Sequence, residues 1–211
     1  MSQKRIAAHI EALKACRLCP EMVGPVVTHT PVLSRVYLIG QAPGPHEGKA
    51  GKPFAWTAGK TLFRWFERIG MNEEQFRRLT YMAAVCRCFP GKAKTGGDRV
   101  PSPDEIANCE RWMKTEFEIL KPDLVIPVGK LAIEGALEKV TGKAKLVDVI
   151  GKSFSTSLYG TKCDIIPLPH PSGASTWFKK EPGISLLAQA LSAIEAHEAW
   201  QELVLERCLR S

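Results

Sequence analysis

The sequence predicts an α/β fold: one domain built as a three-layer sandwich, with a mostly parallel four-stranded central sheet flanked by helices. Three observations predict it. Short apolar runs at Val36–Ile39, Tyr81–Cys86, Leu124–Val128 and Asp164–Leu168 have the length and composition of buried strands. Longer stretches with helical spacing separate them, and that alternation favours parallel strands joined by crossover helices. Finally, two of the runs empty into stiff polar loops, Gly40-Gln41-Ala42-Pro43-Gly44-Pro45-His46-Glu47 and Pro169-His170-Pro171-Ser172-Gly173. Ligands of open α/β sheets bind beyond the carboxyl ends of the strands. One loop offers a carboxylate and the other a histidine, so together they form a candidate active site.

In chain order, Ile6, Ile10 and Leu13 give an opening helix that ends near Cys16-Arg17-Leu18-Cys19-Pro20. After the first strand and its loop, Thr57 is placed to cap a helix carrying Leu62, Phe63, Trp65 and Phe66 as far as Gly70. Asn72 opens a short helix over Glu73–Leu79, and Tyr81–Cys86 follows as a strand. Phe89–Val100 is basic and rich in glycine, hence a loop. Ser102, with Pro103 next and Glu105 three residues on, forms a capping box for a helix ending at Leu120. Leu124–Val128 is a strand, and Lys130 to about Lys139 a helix. Leu146–Ser157 reads as an edge hairpin ahead of the fourth strand. A final helix spans about Gly183 to Leu209, with Leu187, Leu191 and Ile194 on one face.

With 211 residues, 45% of them hydrophobic, and no internal repeat or linker-like stretch, residues 1–211 are expected to form one domain. No apolar stretch is long enough to cross a bilayer and no signal peptide is evident, so a cytoplasmic monomer without a membrane partner is expected. The net charge of +7 favours a polyanionic partner as much as it fits an ordinary basic enzyme. Seven cysteines in a reducing compartment point to metal or redox chemistry rather than disulfides.

The first loop continues through Glu47-Gly48-Lys49-Ala50-Gly51-Lys52-Pro53-Phe54 and then Thr57-Ala58-Gly59-Lys60. It lacks the third glycine of a dinucleotide fingerprint. It does resemble the first motif of the uracil-DNA glycosylase superfamily, closest to family 4, in which G-E-A-P-G precedes G-x-P-F and an A-G that opens a helix. His170-Pro171-Ser172 resembles that family's H-P-S motif. Arg87-Cys88-Phe89-Pro90 resembles its K/R-C-x-P segment, and Pro101-Ser102-Pro103-Asp104-Glu105 with Cys109 its P-x-P-x-E…C helix start. The four motifs occur in the family's order, from Cys16 to about Phe178.

The resemblance implies a monofunctional enzyme that flips uracil out of single- or double-stranded DNA and hydrolyses its N-glycosidic bond. Free uracil and an abasic site are the products. It implies that Glu47 and His170 are catalytic, His170 donating to uracil O2 and Glu47 holding the attacking water. Gly40, Gln41, Ala42, Phe54 and Ala83 would form the uracil pocket, with Phe54 stacked on the base. Pro43, Gly44, Ser172, Gly173, Ala174 and Ser175 would meet the DNA, as would Lys92, Lys94 and Arg99 of the basic loop. Cys16, Cys19, Cys88 and Cys109 match the ligands of a structural [4Fe–4S] cluster. Zinc accepts the same sulfurs, and Cys86 lies close enough in sequence to replace Cys88. Cys163 and Cys208 read as structural.

Two departures stand out. Gln41 replaces the family 4 glutamate, and Ala42 stands where family 1 has a catalytic aspartate, so Glu47 is the carboxylate left in the loop. His46 and Gln41 are the alternatives for positioning the water. Ala83 and Ala84 occupy the strand in which the superfamily's asparagine reads uracil, as in some family 5 members. The competing expectation is a non-catalytic or abasic-site-binding iron–sulfur DNA protein.

Overall fold

The computed structural model describes residues 2–209 except Thr95 and Ala174, and not the side chains of Cys208 and Leu209. Ala174, assigned above to DNA contact, and the side chain of Cys208 therefore lie outside the described residues. Five strands form one sheet: β1 (Val36–Gly40), β2 (Tyr81–Ala84), β3 (Leu124–Pro127), β4 (Phe154–Leu158) and β5 (Thr161–Ile165). Their order is β2-β1-β3-β5-β4, parallel throughout except for the β4–β5 pair.

The sheet thus has five strands, not the expected four. Leu146–Val149 is a one-turn helix (α7), and the edge hairpin lies later, turning at Tyr159-Gly160 in left-handed backbone. Alternating partial exposure along β4 matches an edge strand, and the weak apolar signal of Phe154–Leu158 hid it in the sequence. Beyond Ile165, pairing with β3 resumes at Leu168, whose N–H bonds to the Pro127 carbonyl at 2.9 Å. That continuation carries the chain to His170 beside the ends of β1, β2 and β3.

The helices are α1 (Ser2–Lys14), α2 (Pro45–Ala50), α3 (Thr57–Glu67), α4 (Glu73–Leu79), α5 (Pro103–Leu120), α6 (Lys130–Thr141), α8 (Gly183–Ala196) and α9 (Glu198–Leu209), besides α7. Among the described residues none is long and apolar enough to cross a membrane. The Ser102 and Asn72 capping boxes form as expected. At α3 the N-cap is Trp56 rather than Thr57. The expected final helix breaks at His197, whose extended backbone lets α9 turn back so that the Trp200 indole N–H reaches the Ile69 carbonyl at 3.2 Å. The loop expected after β1 contains a short helix, α2; Pro45 at its first position and the Glu47 side chain, which accepts from the Gly44 N–H, start it.

α1 packs on α5, next to Tyr37, Tyr81 and Phe117, whereas α3, α4 and α9 gather around Phe66, Phe76 and Trp200. Both layers bear on a fully buried β1, and this fixes the loop that leaves Gly40.

Candidate active site

The carboxyl ends of β1 and β2 open into a cleft of about 320 Å³. Its walls include Gly40, Gln41, Ala42, Pro43, Gly44 and Glu47 from the first loop, Phe54, and Ala83 and Ala84 from β2. His170 and Ser172 close it from the second loop, so the two sequence-distant motifs do meet. A larger hollow of about 760 Å³ is lined by Arg35, Asp123 and Asp164 and lies toward the amino ends of β1 and β3, the opposite end of the sheet. The chemistry-bearing residues are at the smaller one.

Phe54 sits in left-handed backbone at φ +51°, a conformation that non-glycine residues rarely hold without support. The support is visible. Arg77 donates to the Pro53 carbonyl at 2.8 Å and to the Phe54 carbonyl at 2.9 Å, while pairing with Glu73 at 2.8 Å. Gly59 lets α3 approach: a methyl there would stand 1.8 Å from the Phe54 carbonyl oxygen. The ring in turn lies on Gly40, where a methyl would meet it at 2.9 Å. The glycine at the end of β1 is thus the seat of the aromatic ring.

His170 is half-buried, and burial lowers its pKa, so it is neutral near pH 7. The Ser172 backbone N–H donates to its Nδ1 at 3.3 Å, which assigns the ring proton to Nε2. Gly129, at φ +87°, makes room for the ring; a methyl would stand 2.8 Å from Cδ2. The Gln41 carboxamide oxygen accepts from the Leu131 N–H at 3.2 Å, tying the first loop to the start of α6.

Glu47 is buried and its Oε2 accepts from the Gly44 N–H at 3.1 Å. A second carboxylate, unforeseen from sequence, lines the same cleft. Glu47 Oε2 is 2.9 Å, and Asp98 Oδ2 3.7 Å, from the point a Gly44 methyl would occupy. Asp98 belongs to the basic loop, which folds over the cleft through the Lys92–Asp98 bridge, with an ion pair at 2.6 Å. Lys94 is exposed. Arg99 turns away from the cleft and clasps Glu105 at 2.5 and 2.7 Å, holding that carboxyl down at about 2. Gly173 is exposed, and the Ser175 N–H returns to the Ser172 carbonyl at 3.0 Å in a tight turn. Trp56, half-exposed, and His46 also line the cleft and stack on each other.

A cavity of about 290 Å³ lies between the end of α1 and the first turns of α5, lined by Cys16, Cys19, Cys88 and Cys109. Cys86 is buried and is not among its lining residues; it donates a hydrogen bond toward Cys109, which pushes the Cys86 thiol up and the Cys109 thiol down. Asn108 Nδ2 lies 3.7 Å from Cys19 Sγ as a donor. Among the described residues, no three His, Cys, Asp or Glu side chains close on a point as ligands of one ion would. The thiols ring a space instead. Below it, Arg87 is anchored by the buried Glu116, which also takes bonds from Tyr37 and Tyr81 and lies 3.2 Å from His9 Nε2.

The family model of the uracil DNA glycosylase superfamily matches residues 27–202. The chain belongs to that superfamily. Among curated relatives, the type-4 uracil-DNA glycosylase of Saccharolobus solfataricus is 27% identical over 171 residues, covering 80% of this chain and 75% of the relative. The type-4 enzyme of Thermotoga maritima is 28% identical over 165 residues, 77% and 79% of the two chains. The type-5 uracil-DNA glycosylase of Thermus thermophilus is 29% identical over 161 residues, 62% and 71%. The match to the superfamily spans β1 to α9, so the cleft, the second loop and two of the four cavity cysteines, Cys88 and Cys109, lie inside it.

Proposed function

We propose that this chain is a monofunctional uracil-DNA glycosylase, hydrolysing the N-glycosidic bond of uracil in DNA and releasing the free base. The observation that carries the reading is the neutral, Nε2-protonated His170 lining the same cleft as the rigidly seated Phe54. An extruded uracil stacked on Phe54 would present O2 to His170. As the bond to the sugar breaks, the leaving base gains negative charge, and a donor already in place stabilises it without reorganisation. The backbone amides of Gln41 and Ala42, in the same cleft lining, are the further donors this reading assigns to its carbonyl oxygens.

Glu47 is the residue for holding the attacking water and offsetting charge on the cationic sugar, with Asp98 a second carboxylate within the same cleft. Ala83 leaves the base edge without the usual asparagine, so recognition rests on shape, stacking and backbone donors. Pro43, Gly44, Ser172, Gly173 and Ser175, with Lys92 and Lys94 of the basic loop, border the cleft mouth or lie next to it in the chain and supply the DNA contacts in this reading, whereas Arg99 is committed to Glu105.

The cysteine cavity fits a [4Fe–4S] cluster held by Cys16, Cys19, Cys88 and Cys109. A cubane takes one thiolate per iron, so its ligands ring a volume rather than converge on one atom, as those of zinc must. Bound there, the group would tie α1, the end of β2 and α5 together and take no part in the bond cleavage.

Glu47 is partly committed to capping α2, and this favours a second reading, an abasic-site-binding protein without catalysis. Release of free uracil from a uracil-containing oligonucleotide separates the two. Stoichiometric release supports the glycosylase; tight binding to abasic DNA with no release overturns it.

A further inference from the structure

The mouth of the cleft carries an aromatic pair that neither Phe54 stacking nor His170 chemistry uses. The Trp56 indole and the His46 imidazole lie parallel, with ring centroids 4.1 Å apart and planes 16° from one another. Both line the cleft, and Trp56 is 49% exposed, unusual for the largest apolar side chain. Two elements hold the pair. His46 stands in the first turn of α2, and Trp56 is the N-cap of α3, its carbonyl accepting the Lys60 N–H at 3.1 Å. Only Ala55 separates Trp56 from Phe54, whose backbone Arg77 fixes. Lys49, Lys52 and Lys60 are exposed on the same two helices and the segment between them.

We propose that the His46–Trp56 pair is a stacking platform for the nucleobase adjoining the extruded uracil on the same strand. A flat, solvent-exposed π surface beside a base pocket suits the face of a second base, whatever its identity. His46 stacks on the indole, so the rings are already paired before DNA arrives, which lowers the side-chain ordering that binding requires. The neighbouring lysines supply countercharge for the phosphates that join the two nucleotides. Such a platform works only once the neighbouring base has left its own stack, so the site favours single-stranded or locally unpaired DNA over intact duplex. The inference deepens the glycosylase reading and rests on it for the place of the uracil.

Fluorescence anisotropy of the full chain with a single-stranded oligonucleotide tests it, using a non-hydrolysable 2′-fluoro uridine as the target. The base on either side of the target is removed in turn with an abasic analogue. Losing the platform's base should weaken wild-type binding about tenfold, and Trp56→Ala should weaken binding to the intact oligonucleotide by a similar factor. In Trp56→Ala the same base removal should then cost little, because the partner is already gone. Trp56→Phe, which keeps a π face, should bind within a few-fold of wild type and controls for any disturbance of α3.

Equal losses on base removal in wild type and Trp56→Ala, native affinity in Trp56→Ala, or no binding of single strands at all would overturn the proposal. Binding here needs no bond cleavage. Absence of uracil release from an ordinary substrate would sink the glycosylase reading and leave this cycle interpretable.

Discussion

Arg87→Met is the substitution with the largest consequence that the geometry can price. The Arg87 guanidinium is 2% exposed and donates to Glu116 Oε1 at 3.1 Å, to Glu116 Oε2 at 2.6 Å and to the Ala84 carbonyl at 2.8 Å. Glu116 itself is wholly buried. Methionine fills similar space but leaves a buried carboxylate with hydroxyl and imidazole partners alone. Removing one member of a buried ion pair costs about 3–5 kcal/mol. At about 2–4 °C per kcal/mol for a chain of this size, the melting temperature should fall by roughly 6–20 °C.

The pH dependence gives a second handle. Burial pulls the Glu116 carboxyl upward, yet Arg87 first, then His9 and Tyr37, hold it down at about 2. A depressed carboxyl contributes stability that is complete above its unfolded value near 4.3 and is lost as pH falls through the folded value. In wild type that is about 3 kcal/mol, surrendered between roughly pH 4 and 2. Without Arg87 the burial effect dominates, and the acid limb should move to higher pH. Thermal melts followed by circular dichroism from pH 7 to 2 measure both quantities. The double variant Arg87→Met/Glu116→Gln should recover part of the loss because no charge stays buried. A drop below about 2 °C in the single variant, or a double variant no more stable than the single, would show that the network does not hold the fold in this way.

His29 is buried and its pKa is lowered to about 4, chiefly by desolvation, so the unfolded chain binds the extra proton first as pH falls. Stability should decline by about 3 kcal/mol from pH 6.5 to 4, and His29→Gln should flatten that limb in the same melts. The protein should purify brown under anaerobic conditions with about four irons per chain; Cys88→Ala should bleach it and Cys86→Ala should not, and the reverse pattern would exchange their roles. His170→Ala should cut single-turnover uracil release by ~10²–10³. Glu47→Gln and Asp98→Asn in the same assay identify which carboxylate serves the water. Lys92→Ala and Lys94→Ala should each lower the salt slope of duplex binding by about 0.9, whereas Arg99→Ala should leave that slope near native and instead lower the melting temperature, since its guanidinium is committed to Glu105.

The sequence exposed what local chemistry writes down. Ser102 and Glu105 mark the start of α5 because a capping box needs only neighbours, and the apolar runs mark β1 and β3 because those strands are buried on both faces. The H-P-S loop and the glycine at the end of β1 were legible in the same way, as strand ends punctuated by rigid turns. The missing parts are those that only the third dimension supplies. β4 is a half-exposed edge strand with Ser155 and Ser157 on its open face and Thr156 between Phe154 and Leu158 on the other, so it carries little apolar signature. Arg77 reaches two carbonyls from a helix more than twenty residues along the chain, and nothing in its neighbours announces that it holds Phe54 in left-handed backbone. Asp98 sits in a run that reads as solvated basic loop, and the Lys92–Asp98 bridge folds its carboxylate toward Gly44, into the lining of the cleft that also holds Glu47. Loss of the acid at positions 41 and 42 therefore does not leave the cleft with a single carboxylate. A loop from the other side of β2 brings a further carboxylate to the cleft, so under the proposed function Glu47 and Asp98 are the two acids to compare, with the Gln41 oxygen accepting from the Leu131 N–H at 3.2 Å at the start of α6.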